Sequence, residues 1–413
     1  MDKYLELMLS ELKLTMGCTD IGAVAFAAAA ASSVIDGDIL SISVLLSPMI
    51  YKNALHVAIP YIKRSGVGYA AIFGALINNP EKRLAVLSDI TPEIIDECER
   101  IKKQICISVD YVENNDLLYI EVECIKLLGS ERNIGKAIIK GNYDRIQTIY
   151  KNNEIIYHED KQIDKEVNSL NLTIEEIYKY ISNMNYENVK LLFVSEEINK
   201  KATDKSKKTH NIDKKFLISN LSYEAGEWVF DVSKKRMSGE AVNIVSLCGS
   251  GNLGITTLLP VSCIASYIGT SSLERGRALA LAILTAIYIK SKMNIVTTVC
   301  GSALAGACGV SAAVAYLYGG KLEDIKNAIN TSITAIFGVV CDGAKESCIF
   351  KVSSAARNAV IIGYNSVKGI YAKEGEGIIY HNINDTINVI SKLNNISMDL
   401  LEKKILENIK SNV

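Results

Sequence analysis

Apolar residues recur at helical spacing over 4–14, and a nearly unbroken run of alanine and other small apolar residues fills 23–35. The chain is therefore expected to open with an amphipathic helix followed by a buried one. Residues 39–46 alternate and are rich in β-branched side chains, which predicts a strand ending at Ser47-Pro48. Near 85 the texture changes. Residues 84–88, 105–111 and 118–125 alternate like strands, with an acidic, helix-like stretch at 92–103 between them, and this unit reaches to about Tyr150.

Residues 151–215 are charged and rich in Asn and Lys. Apart from a helix over 174–184, they read as a surface insertion or linker, partly mobile. From 216 onward the chain is helical and rich in small residues, with a strand-like stretch at 241–247, an amphipathic helix over 275–290 and an apolar segment at 303–318. The fold expected is α+β: a mixed N-terminal segment (1–84) folded back on a helical domain, a small α/β unit with a charged insertion (85–215), and the helical domain itself (216–413).

Two uncharged runs, 241–272 and 293–320, are long enough to imitate membrane spans. Their Gly, Ser, Thr, Cys and Asn content and their lack of flanking anchors point instead to a buried core. The 45 Lys+Arg against 46 Asp+Glu leave no positive field to draw a polyanion, so no nucleic-acid partner is expected; the basic cluster at 200–215 lacks interleaved aromatics and reads as a solvated surface. Ten irregularly spaced cysteines do not form a disulfide scaffold, and the N-terminus has no basic region followed by an apolar run. A reducing cytoplasm is the expected setting.

The densest chemistry lies in 338–348, where Cys341, Asp342, Lys345 and Cys348 fall within eight residues. If the stretch is helical, Cys341, Lys345 and Cys348 share a face; alternatively Gly343 breaks the turn and lets the backbone approach a ligand. Two thiols with an ammonium suit a soft metal or cluster beside an anion, or else are structural cysteines near a surface lysine. Cys18 precedes the alanine-rich helix, for which Thr19 and Asp20 are N-cap candidates. There the helix dipole is expected to lower its pKa. Lys52 and Asn53 place a cation beside an amide, a pairing suited to a carboxylate.

Residues 249–254 fit G-x-G-x-x-G. A dinucleotide site is rejected because Pro260 is expected to interrupt the following helix and no β-α-β repeat surrounds it. A Gly-rich turn whose N–H groups and Asn252 face a small anion is preferred. The chain has four histidines, none spaced as a zinc pair, and no Cys-x-x-Cys, so thiolate is the expected main ligand of any metal.

Gly17-Cys-Thr-Asp20, Lys52-Asn53-Ala54, Gly249-Ser-Gly-Asn-Leu-Gly-Ile255 with Leu259-Pro260-Val261, Cys300-Gly-Ser302, and Cys341-Asp-Gly-Ala-Lys345 with Cys348 occur in this order. Together they resemble the L-cysteine desulfidase family, related to the alpha part of the iron–sulfur L-serine dehydratases, over most of the chain outside 151–215. The resemblance implies a 4Fe-4S cluster on Cys300, Cys341 and Cys348, with Cys18 acting at the substrate as base or temporary ligand. It implies β-elimination of L-cysteine to sulfide, ammonia and pyruvate through aminoacrylate, with L-serine dehydration as the alternative activity and a non-catalytic iron–sulfur or cysteine-binding sensor as the alternative class. Lys52, Asn53 and Asn252 would hold the substrate carboxylate, Asp20 its ammonium, and Lys345 the carboxylate or the sulfide. Cys98, Cys106, Cys124, Cys248, Cys263 and Cys308 read as structural. Two positions depart from the family pattern: Asp20-Ile21 stands where Glu-Pro is usual, and Asn142 or Tyr143 stands about where a histidine is usual. A homodimer is compatible with the small-residue helices.

Overall fold

The computed structural model describes residues 2–62, 64–112, 116–159, 172–204, 217–294, 296–397 and 399–411. The architecture is α+β with a helical C-terminal part, as the hydrophobic pattern predicts. The chain starts with α1 (Lys3–Glu11) and then turns to strand β1 (Leu12–Met16), three residues before the predicted helix end. The reason is remote: β1 pairs antiparallel with β8 (Asn243–Leu247), a long-range partner that helical periodicity does not reveal. Cys18 then caps α2 (Thr19–Ser33), whose residues are buried on every side. The helix is shielded by β2 (Asp38–Leu46) and its sheet on one face and by α4 (Val67–Ile77) on another, after the short α3 (Pro48–Ala54). Its alanines allow contact at backbone distance: a Cβ on Gly74 would stand 2.1 Å from the Ala25 carbonyl.

The predicted strand at 84–88 is instead part of a 3₁₀ stretch, Pro80–Asp89, that lays Leu84 against α2 at Gly22. It has no strand neighbour, whereas α5 (Pro92–Ile101) and β3 (Cys106–Tyr111) form as expected. β4 (Tyr119–Leu128), β5 (Glu131–Lys140), β6 (Ile146–Lys151) and β7 (Glu154–His158) complete a six-stranded sheet of order β3-β2-β4-β5-β6-β7. Only β2 and β3 run parallel.

The stretch read as an insertion carries α6 (Ile174–Asn183), α7 (Tyr186–Val189) and α8 (Phe193–Lys201). Ile174, Ile177, Ile181, Val189 and Leu192 are fully buried in the helical core, so this part is packed structure and not linker. Its apolar stripe is narrow and hidden among charged positions. From 205, the basic run lies outside the described residues, as do 160–171 of the expected linker.

The helical part is built from α9 (Leu217–Met237), α10 (Gly251–Ile268), α11 (Ser272–Lys292), α12 (Gly301–Leu317), α13 (Leu322–Ile336), α14 (Cys348–Val367), α15 (Ile383–Lys392) and α16 (Asp399–Ser411). Helix α12 is apolar all round and sits in the middle, as such a helix must. Its glycines let neighbours close in: a Cβ on Gly309 would lie 2.4 Å from the Ala282 carbonyl of α11. Pro260 does not interrupt α10, contrary to expectation. That helix is buried along most of its length, and packing outweighs the hydrogen bond that proline removes. The rejection of a dinucleotide fold stands on other ground, because β8, the strand before the Gly-rich turn, pairs only with antiparallel β1 and so belongs to no parallel β-α-β unit among the described residues. α10 is long and apolar enough to cross a bilayer, and 83 % of it is buried within the protein. Of the two hydrophobic cores, one surrounds α2 and the sheet and the other surrounds α12.

Candidate active site

A cavity of about 130 Å³ opens where the two cores meet. One wall comes from the α2 side: Cys18, Thr19, Asp20, Asn53 and Tyr143. The others come from the helical part, including Cys248 to Ser250, Asn252, Leu253, Lys290, Cys300 to Ser302, Cys341 and Cys348. The seam is stitched by Thr19, whose hydroxyl donates to the Gly249 carbonyl at 2.6 Å. Helices α2, α10, α12 and α14 all start at this cavity: Cys18 caps α2, Ser250 caps α10, Cys300 caps α12 and Cys348 opens α14. Their positive ends therefore converge on one small space, which favours anionic groups there.

Cys300 and Cys341 are brought together by an antiparallel bridge between Val299 and Val340. The Cys300 N–H donates to the Val339 carbonyl and the Cys341 N–H to the Thr298 carbonyl, each at 2.7 Å. The 338–348 stretch is not a helix. Gly343 sits at φ +97°, and a Cβ there would lie 2.5 Å from the Lys52 carbonyl, so the chain turns at the one residue that fits. Cys348 then starts α14, with its thiol 3.4 Å from the Gly343 carbonyl. All three thiols line the cavity. Burial pushes the Cys300 thiol up to about 12, with Cys341 and Cys348 adding to the rise, and burial also raises Cys348.

Cys18 departs from the expected low pKa. It does occupy the N-cap of α2, but burial and the neighbouring Asp20 carboxylate push its thiol up to about 12. Desolvation outweighs the helix terminus. The thiol lies 3.3 Å from Asp20 Oδ2, while the Tyr143 hydroxyl donates to Asp20 Oδ1 at 2.9 Å. Asp20 is 7 % exposed. Burial raises its pKa against the hydrogen bonds from Tyr143 and Cys18 and the charge of Arg236. Neither Thr19 nor Asp20 is the N-cap.

Asn53 lines the cavity with its side-chain oxygen buried and unpartnered. Asn252 lines it as well, and its oxygen accepts from Arg236 Nη1 at 2.9 Å. Two expected site residues point elsewhere. Lys52 is 1 % exposed and does not line the cavity: its ammonium donates to the Cys341 carbonyl at 3.0 Å and pairs with Glu402 at 2.5 Å. It therefore braces the cysteine loop from behind. Lys345 also stands off the cavity, paired with Asp342 at 2.7 Å and bonded to that residue's carbonyl. Asp342 is held at about 2: burial pushes it up, and the hydrogen bonds from Lys345 and Lys351 outweigh that.

Sequence reasoning missed Arg236 and Lys290, read Cys248 as structural, and named Tyr143 only as one of two residues, with Asn142, at a departure from the family pattern. Arg236 and Lys290 each end a long helix, where a cation usually just faces solvent. No local pattern marks them. Lys290 donates to the Asn294 carbonyl at 2.8 Å, and desolvation lowers its pKa against the pull of Cys248, Cys341 and Cys300. Cys248 holds a left-handed φ of 48°, uncommon outside glycine and frequent at functional sites.

Compared with known families, the sequence matches the serine dehydratase alpha chain family over residues 81–407. The chain belongs to that family. It is similar to the UPF0597 proteins of Clostridium perfringens (31 % identity over 94 % of this chain and 93 % of the relative) and Methanocella arvoryzae (31 %, covering 98 % of each). The Bacteroides fragilis protein of the same name is 30 % identical, over 98 % of this chain and 97 % of its own.

In this serine dehydratase alpha chain family member, no three His, Cys, Asp or Glu side chains among the described residues close on one point, as a single ion requires. A cluster makes a different demand. Each thiolate takes a different iron, so the sulfurs stand around a volume. Cys300, Cys341 and Cys348 on the walls of one cavity fit that demand. The ten cysteines are all free.

Proposed function

We propose that this protein is a lyase that eliminates the β-substituent of a small amino acid, L-cysteine in the first place. Loss of the Cα proton and cleavage of the Cβ–S bond give hydrogen sulfide and aminoacrylate, which water converts to pyruvate and ammonia. The observation that carries the reading is that three thiols from two separate segments line the same cavity as Cys18 and Asp20. Cys300, Cys341 and Cys348 would hold a 4Fe-4S cluster. When bound, such a cluster leaves one iron without a protein thiolate and supplies a soft Lewis acid for a substrate sulfur.

The residues of the chain supply the rest. Converging helix N-termini suit the substrate carboxylate. Asp20 and the unpartnered oxygen of Asn53 are acceptors suited to its ammonium. Cys18 is the proposed carrier of the Cα proton, acting once its own proton has passed to Asp20, 3.3 Å away. Lys345, first read as a group at the substrate, is assigned with Lys52 to holding the Cys341–Cys348 loop. The description of the matched family favours L-serine as the second reading, with water as the leaving group. The proposed partner is thus a small amino acid, and an oxygen-sensitive cluster suits a reducing cytoplasm.

The test is anaerobic purification with iron and acid-labile sulfide analysis, followed by L-cysteine and L-serine in parallel. About four irons per chain and sulfide from cysteine support the reading. Pyruvate from serine alone moves it to the dehydratase, and absence of iron after reconstitution overturns the cluster assignment.

A further inference from the structure

Arg236 is 5 % exposed, at the end of α9. A buried cation is ordinarily matched by a carboxylate. Arg236 makes no such ion pair: among the described residues no acidic oxygen lies within 4.0 Å of its guanidinium. One edge is spoken for, because Nη1 donates to Asn252 Oδ1 at 2.9 Å and approaches the Met237 sulfur at 3.1 Å. Nε is buried without a partner, packed where a Cβ on Gly251 would stand 2.5 Å away. Gly251 thus makes room for the guanidinium. Nη2 makes no hydrogen bond among the described residues, and the side chain lines the cavity.

The other nearby cations are committed. Lys52 is bonded to Cys341 and Glu402 behind the cysteine loop, and Lys290 donates to the Asn294 carbonyl. Across the cavity the acid is Asp20. A cation with an open edge, an acid on another wall and thiols on a third make a three-point frame for a zwitterion with a reactive side chain.

We infer that Arg236 is the anchor for the carboxylate of the amino-acid substrate, its fork oriented by Asn252, with the ammonium turned toward Asp20 and the β-substituent toward Cys300, Cys341 and Cys348. This inference rests on the amino-acid lyase reading for the identity of the ligand; the carboxylate site itself does not. Arginine suits the task because its planar fork meets both oxygens of a carboxylate, which a lysine cannot do.

The experiment compares ligands that have nothing to eliminate. Thermal unfolding of the wild-type protein, as purified and after cluster reconstitution, is measured with L-alanine, propionate and L-alaninamide. L-Alanine and propionate are expected to raise the melting temperature and L-alaninamide not to, since it lacks the carboxylate. Arg236→Gln is expected to abolish the shift while retaining native circular dichroism and iron content. Arg236→Lys is expected to raise KM for L-cysteine by roughly 10- to 100-fold, the loss of a charge-assisted bidentate contact, with a much smaller change in kcat. Equal protection by L-alaninamide and L-alanine in the wild type overturns the inference, and that arm needs no variant to fold. An unchanged KM in Arg236→Gln overturns it as well. If no amino acid is turned over but carboxylate protection still disappears in Arg236→Gln, the carboxylate anchor stands and the lyase reading falls.

Discussion

The Tyr143 hydroxyl donates to Asp20 Oδ1 at 2.9 Å, joining two residues 123 positions apart in the chain. Asp20 is one place where the sequence departs from the pattern it otherwise resembles, and Tyr143 is, with Asn142, one of the two residues at the other. A shorter acid at 20 is met by a side chain long enough to reach it from β5–β6. Asp20 is thereby fixed with one oxygen on Tyr143 and the other beside the Cys18 thiol.

Tyr143→Phe should therefore act through Asp20. Burial already raises the Asp20 pKa, and the hydrogen bond from Tyr143 lowers it. Removing that bond raises the pKa further. If ionised Asp20 serves the reaction, the acid limb of the kcat/KM profile moves to higher pH in the variant, and an unmoved limb would take Asp20 out of that role. Stability has the same sign. A carboxyl whose folded pKa exceeds its unfolded value contributes most below the unfolded pKa and loses that contribution as pH rises through the folded one. Asp20→Asn should flatten this part of the stability profile in urea titrations.

Cys18→Ser should separate catalysis from cluster binding. The variant is expected to retain iron and labile sulfide, because Cys18 is not among the three proposed ligands, and to lose at least about 100-fold in turnover, as for removal of a positioned proton carrier. Full turnover with the cluster intact would remove Cys18 from the mechanism. In the metal-free protein, exposed Cys106 should alkylate first near pH 8, while Cys18, with its thiol pushed up to about 12, stays protected. Mass mapping after brief iodoacetamide treatment reads this directly.

Lys52 and Glu402 form an ion pair whose lysine is fully buried, tying α16 to the back of the Cys341 loop. Lys52→Met leaves Glu402 without its cation and the Cys341 carbonyl without its donor. A loss of about 3–5 kcal/mol is expected, as for breaking one side of a buried pair. Iron retention should fall with it. Chemical denaturation measures the first, and iron analysis at matched fold content the second.

Gly254→Ala should fail sterically without touching the cavity. A Cβ at Gly254 would stand 2.0 Å from the Val245 carbonyl, where α10 lies on β8. Overpacking of this kind costs about 1–3 kcal/mol or more, and it should lower the unfolding midpoint while leaving the KM of the folded fraction unchanged.

Much of the fold and part of the site are legible in the sequence. Alternation and helical periodicity mark β2, β3, β4, α5, α6 and the helical C-terminal part, because those patterns express which face is buried. The cysteine segments and the Gly-rich turn stand out because their residue types are unusual together. The sequence does not disclose β1, whose strand state depends on pairing with β8, nor the 3₁₀ stretch on α2, nor the unbroken helix across Pro260. Each is decided by a neighbour remote in the chain. The site divides in the same way. Residue chemistry singled out Cys18, Asn53, Asn252, Cys341 and Cys348, the family resemblance added Asp20 and Cys300, and the tertiary structure brings all of them to one cavity. Only the tertiary structure turns Lys52 and Lys345 away, brings Arg236 and Lys290 in, and lets burial override the helix dipole at Cys18. A side chain's type is local information, but its direction and its solvation are set by what packs against it.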